Sequence, residues 1–233
     1  GSGKVYEYIQ PVDGGNSIKT ATLQAGDNQQ ARRMEYSFVE KFTLSGAIRD
    51  VWKMTAAWVG RQISTATFTS ALTAPVVEYA LFQKTKAFLD DSGGTIGTTE
   101  VSSSLLAASL EWTTGWAACY TAGGQLYFYE PEYLGAEITG KLTLRHDTVG
   151  EAELIAAENG DVRLLQLLIE GSALQTQGTY SRKTIKVKAA ILYDEVAALN
   201  RQDGRSVIEL PFTVGDSDSI APTITVVNEV ANL

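Results

Sequence analysis

The chain has 233 residues, with 27 acidic and 19 basic side chains and a formal charge of −8. A hydrophobic share of 44% against a charged share of 20% excludes a disordered chain, and the acidic balance argues against a binder that neutralises phosphates. The single cysteine, Cys119, rules out an intrachain disulfide or a cysteine zinc cluster, and the single histidine, His146, leaves most histidine-dependent catalysis to one residue.

The N-terminus, Gly1-Ser2-Gly3-Lys4, has neither a Met nor a signal-peptide pattern, so a leading tag or a native start further upstream is expected. Residues 11–17 read as a loop. From Glu35 to Ser45 the chain alternates, with Tyr36, Phe38, Phe42 and Leu44 on one face, and Val51–Val59 follows with Trp52, Met54, Ala56 and Trp58 on one side. Ser45-Gly46 to Arg49-Asp50 joins these two runs as an antiparallel hairpin. A helical turn is expected over Pro75–Leu81, and loops at Asp90-Asp91-Ser92-Gly93-Gly94 and at Gly123-Gly124. The clearest alternation runs from Ala136 to His146. There Ala136, Ile138, Gly140, Leu142 and Leu144 oppose Glu137, Thr139, Lys141, Thr143 and Arg145. Gly150–Asn159 is the one strong helix, with Gly160 placed for a left-handed C-cap. Three more strands close the chain: Thr184–Tyr193, Ser206–Val214 and Thr223–Val230. An Asp203-Gly204 turn stands between the first two. No apolar run approaches the ~18 residues of a membrane-spanning helix.

These elements predict a mostly β protein, an antiparallel sandwich or barrel with one flanking short helix. One β domain over 1–233 is expected, with a division into two β subdomains near 90–104 as the alternative. A faint similarity between the halves leaves internal duplication open, since each carries a long alternating strand near a tryptophan.

Catalytic constellations are sparse. Asp91-Ser92-Gly93-Gly94 is similar to a serine-protease nucleophile loop, but His146 is the only base and no histidine motif surrounds it. His146 has no second histidine with which to share a metal. Cys119, between Ala118 and Tyr120, reads as a small buried hydrophobe. Asp216-Ser217-Asp218 has calcium-loop spacing without the further ligands. Aromatic residues cluster at Trp112, Trp116 and Tyr120 and again at Tyr127, Phe128, Tyr129 and Tyr133. They suit either a sugar platform or a packed core.

The run Met34–Gly46, followed by Trp52–Gln62, resembles the major tail tube proteins of long, non-contractile-tailed bacteriophages. Gly94–Thr99, Ile138–Asp147, Glu170–Leu174 and Val226–Val230 resemble them too, in the same order. Members usually carry a further region before the counterpart of Val5, which implies a truncated chain. The resemblance implies a structural virion protein, neither an enzyme nor a cofactor binder, whose subunits form rings that stack into a hollow tube. Its expected partners are further copies of itself, the tape measure, tail terminator and distal tail proteins, and passing double-stranded DNA that is not specifically bound; no membrane is involved. Glu137, Thr139 and Lys141 are candidate lumen-facing residues. Asp13, Asn16, Asp90, Asp91 and Thr95, in the loops 11–17 and 90–97, are candidate ring-to-ring contacts. The alternative is a carbohydrate-binding β-sandwich of a phage fibre or cell surface.

Overall fold

The computed structural model describes residues 3–11, 17–27, 29–68, 77–194, 199–202, 204–215 and 220–230. Of these, 59% are in strand and 7% helical, so the chain is mostly β. In chain order the strands are β1 (Lys4–Ile9), β2 (Ala21–Gly26), β3 (Ala31–Ala47), β4 (Lys53–Val59), β5 (Gln62–Ala66), β6 (Thr85–Asp91), β7 (Leu105–Thr113) and β8 (Trp116–Cys119). They continue as β9 (Glu130–Tyr133), β10 (Glu137–Arg145), β11 (Arg163–Ala173), β12 (Arg182–Tyr193), β13 (Asn200–Gln202), β14 (Arg205–Gly215) and β15 (Thr223–Asn228). One helix, α1 (Thr148–Asn159), lies between β10 and β11.

All pairings are antiparallel, and thirteen strands join in one sheet. One half runs β6-β11-β12-β15-β1. The other runs β14-β10-β7-β3-β4. β12 connects them: Thr184–Lys188 pair with β15, and Ala190–Tyr193 pair with β14. The sheet therefore bends over one core. Leu89, Leu165, Leu167, Val187 and Ile191 from one half meet Leu44, Leu110, Leu142, Leu210 and Phe212 from the other, all buried. The chain on both sides of 92–104 contributes to this core.

Helix α1 closes one edge of the core with Val149, Leu154 and Ala157. It starts where Asp147 caps it, with Oδ1 accepting from the backbone N–H groups of Val149 and Gly150 at 3.1 Å. It ends at Gly160 with φ +71, the left-handed cap expected from the sequence. Beneath it, Arg163 forks onto the buried Glu153 at 2.6 and 3.0 Å, and the Tyr193 hydroxyl donates to the same carboxylate at 2.8 Å. Burial pushes the Glu153 carboxyl up to about 7, against the pull of the Tyr193 hydroxyl. The Arg163 fork fits its ionised form.

β3 serves two neighbourhoods. Ala31–Glu35 lie between β2 and β5, and Phe38–Ala47 lie between β4 and β7. Tyr36, at φ +51, stands at the change. That turn takes Tyr36 off the buried face that strict alternation assigns it, and it is 40% exposed. β4 departs from expectation in a similar way. Only Trp52, just before it, is buried, while Met54, Ala56 and Trp58 are exposed because no layer of the described chain covers them.

Further expectations are corrected. Of the helical turn at 75–81, residues 75 and 76 lie outside the described residues and 77–81 are not helical; a single 3₁₀ turn forms later, at Phe82–Lys84. Asp90 and Asp91 belong to β6 rather than to a loop, and the turn begins at Ser92. Thr143 keeps its place on the polar face, between the core residues Leu142 and Leu144, yet is only 4% exposed, at the bottom of a depression that Asn200 and Arg201 also line. The turn after β13 carries Gly204 at φ +77, and the strand pair it joins is β13 and β14.

Candidate functional site

The strand β10 lies between β14 and β7 in the β14-β10-β7-β3-β4 half. Its outward side chains continue across the neighbours. Register sets Thr139 beside Thr213 and Glu111, and Lys141 beside Pro211 and Ser109. Glu111 and Ser109 in turn stand beside Thr43 and Ser45 of β3, which stand beside Thr55 and Lys53 of β4. The result is an open face of threonine, serine and alanine with a few charges set into it. The inward alternates, Ile138, Leu142, Leu110, Leu44 and Leu210, belong to the core, so period two separates a greasy face from a polar one on every strand.

The charges on this face are paired across strands. Lys141 Nζ donates to Glu209 Oε2 at 3.1 Å, and Lys41 Nζ stands 2.5 Å from Glu111 Oε1. Lys53 Nζ reaches Asp50 Oδ2 at 2.6 Å in the β3–β4 turn. All six groups remain partly exposed, so each pair is worth little as stability. Their effect is on the field: each lysine is neutralised within one hydrogen-bond length. Glu137 has no ion-pair partner among the described residues. A shallow depression of about 440 Å³ lies on this face, lined by Ser45, Ala47, Lys53, Ser109, Lys141 and Glu209 among others.

The three lumen candidates from the sequence, Glu137, Thr139 and Lys141, therefore share one face. Sequence reading missed Glu209, Glu111, Lys41 and Lys53 as their neighbours. The signal for β7 was present, since Ala108, Leu110 and Trp112 alternate with Ser109, Glu111 and Thr113.

Of the ring-contact candidates, Asp90, Asp91 and Thr95 fall among the described residues. Asp13 and Asn16 lie outside the described residues. Asp90 is buried, and its carboxylate accepts from Gly97 N at 2.6 Å, Thr98 N at 3.2 Å, Thr98 Oγ1 at 2.5 Å and Thr99 N at 2.7 Å. Burial pushes this carboxyl up, but the Thr98, Thr99 and Gly97 donors win and hold it at about 2. Asp91 pairs with Arg163. Thr95 is exposed, its carbonyl accepting from the Thr98 hydroxyl at 3.0 Å.

Other candidates resolve into packing. Asp91 of the protease-like run is held by Arg163, and His146 follows the end of β10 with its backbone N–H donating to Ser206 O. Cys119 is half-buried opposite Glu130. Asp216-Ser217-Asp218 lies outside the described residues. Among the aromatics, Trp112 stacks on Phe42, Trp116 meets Tyr133, and Phe128 is buried among Tyr36, Phe38 and Tyr120. Tyr120 and Tyr129 remain exposed.

No protein-family model matches the chain, and no curated protein matches it either.

Proposed function

We propose that this chain is a structural subunit of a hollow tube, of the kind that carries double-stranded DNA through a phage tail. In this reading the outer face of β14-β10-β7-β3-β4 lines the bore. One observation carries it. The face is made of small polar side chains, its three lysines are each paired to a carboxylate, and the remaining Glu137 is matched in charge by Arg201, which lines the depression on the same face. DNA is trapped by cations that displace its counterions, so a wall with neutralised lysines and no cationic excess lets a duplex slide. Open edges support the same reading. Among the described residues β4 pairs only with β3 and β1 only with β15. Free edges are a liability in a monomer and are closed in a ring. In such a tube a tape measure occupies the bore during assembly, and terminator and distal tail proteins close its ends.

Electron microscopy of the purified chain tests the proposal. Rings or tubes whose bore shows the Glu137, Thr139 and Lys141 face, with no excess of cations over carboxylates, are the expected result. Monomers that bind polysaccharide, or a bore with excess lysine and arginine, would overturn it.

A further inference from the structure

β2, Ala31–Glu35 of β3, and β5 form a three-stranded arm, covered at Ala31, Arg33 Nε and Ser64 Oγ on one face and more open on the other. Leu23, Met34 and Ile63 stand in one row across it, and Ala25, Arg32 and Thr65 in the next row of the same face. Ile63 is 62% exposed. Three short strands with such a row gain stability from a surface laid against them. The arm is also the basic part of an acidic chain. Residues 17–37 and 60–68 hold Lys19, Arg32, Arg33 and Arg61 against Asp27 and Glu35, a net of +2, which leaves −10 for the rest of the −8 chain. Arg33 is paired with Glu35, and Asp27 caps the turn at Gln29 and Gln30. Lys19 and Arg32 are exposed and have no carboxylate partner among the described residues.

A complementary surface lies on the segment that follows β7, which meets the base of the arm where Arg61 stands 4.9 Å over the Tyr127 ring and Tyr36 packs near Phe128. Residues 114–140 contain no lysine, arginine or histidine, and they contain Glu130, Glu132 and Glu137. In the β8–β9 hairpin, Trp116 packs on Tyr133 on one side, while Glu130 and Glu132 point to the other and are exposed. Leu134, Tyr129 and Leu126 are exposed around them. This patch is apolar and acidic, and the arm is apolar and basic.

We infer that the arm of one copy docks on the β8–β9 face of a second copy, with the Leu23-Met34-Ile63 row against Leu134 and its neighbours. Lys19 and Arg32 face Glu130 and Glu132 across the joint. The two surfaces differ and every copy carries both, so the contact is head-to-tail and repeats. The inference rests on the tube reading and names a contact that would build it.

Charge reversal of the full chain, followed by analytical ultracentrifugation at physiological salt, tests it. The pair K19E/R32E and the pair E130K/E132K should each weaken self-association roughly tenfold, with thermal unfolding unchanged. An equimolar mixture of the two variants should associate again, because each acidic arm then finds a basic face and each basic arm an acidic one. The variant with all four changes should also regain association. Reversed variants that associate like the wild type would overturn the docking while leaving the tube reading standing, as would a loss that neither combination restores. A wild-type chain that stays monomeric would overturn both.

Discussion

Asp90→Asn is expected to destabilise the chain by about 2–4 kcal/mol at neutral pH. Two routes lead to that figure. A carboxyl held at about 2 in the folded chain, against an ordinary 3.8, contributes about 2 kcal/mol at pH 7. The hydrogen bonds give a similar answer. Oδ1 accepts from the Thr98 hydroxyl and Thr99 N–H, and Oδ2 from the Gly97 and Thr98 N–H groups. An asparagine keeps one oxygen and turns an NH₂ toward the other donors; toward Gly97 and Thr98 N–H two bonds are lost, and toward the Thr98 hydroxyl, which can turn to accept, and Thr99 N–H one is lost, at about 1.5–3 kcal/mol each before relaxation. The segment held this way is a strap. Thr99 O accepts from Leu89 N–H at 3.0 Å and Val101 N–H donates to Ala87 O at 2.8 Å, covering the edge of β6. Because the folded value lies below the ordinary one, the stabilisation is complete above pH 4 and disappears as pH falls toward 2. Urea unfolding followed by tryptophan fluorescence at pH 7 and near pH 2 should show a gap between wild type and variant that narrows by about 2 kcal/mol in acid. A variant within about 0.5 kcal/mol of wild type at pH 7, the range of ordinary surface changes, would refute the clamp. So would a gap that does not change with pH.

Glu153→Ala leaves the Tyr193 hydroxyl and most of the Arg163 fork buried without a partner. Its expected cost is about 3 kcal/mol, at the lower end for a broken buried pair because Asp91 still holds Arg163; thermal unfolding measures it. Gly140→Ala would drive a methyl group into the buried Phe212 ring and to 2.6 Å from Ser109 O, on the core side of the strand that carries the proposed wall. A loss of about 1–3 kcal/mol in urea unfolding is expected from this overpacking.

Local pattern carries most of the secondary structure here, because period two and a helix cap are properties of neighbouring residues. The hydrophobic alternates Ile138, Leu142 and Leu144 and the polar Glu137, Thr139 and Lys141 are separated by strand geometry alone, and Gly160 stops α1 by its left-handed turn. An exception arises where backbone geometry breaks the period, at Tyr36 with its positive φ, and Thr143 keeps the period but is buried at the depression it shares with Asn200 and Arg201. The site depends on register between strands far apart in the chain. Lys141 and Glu209 are 68 residues apart, and nothing local makes them neighbours. Lys41 meets Glu111 only because β3 pairs with β7. Asp90 looked like an exposed loop acid because its donors, Gly97, Thr98 and Thr99, follow it around a turn, and burial becomes visible only when that turn closes over β6. A sequence can place a charge on a face, but the pairing of strands decides whether that charge is neutralised, and the proposed role of this face as a wall past which DNA slides rests on that neutralisation.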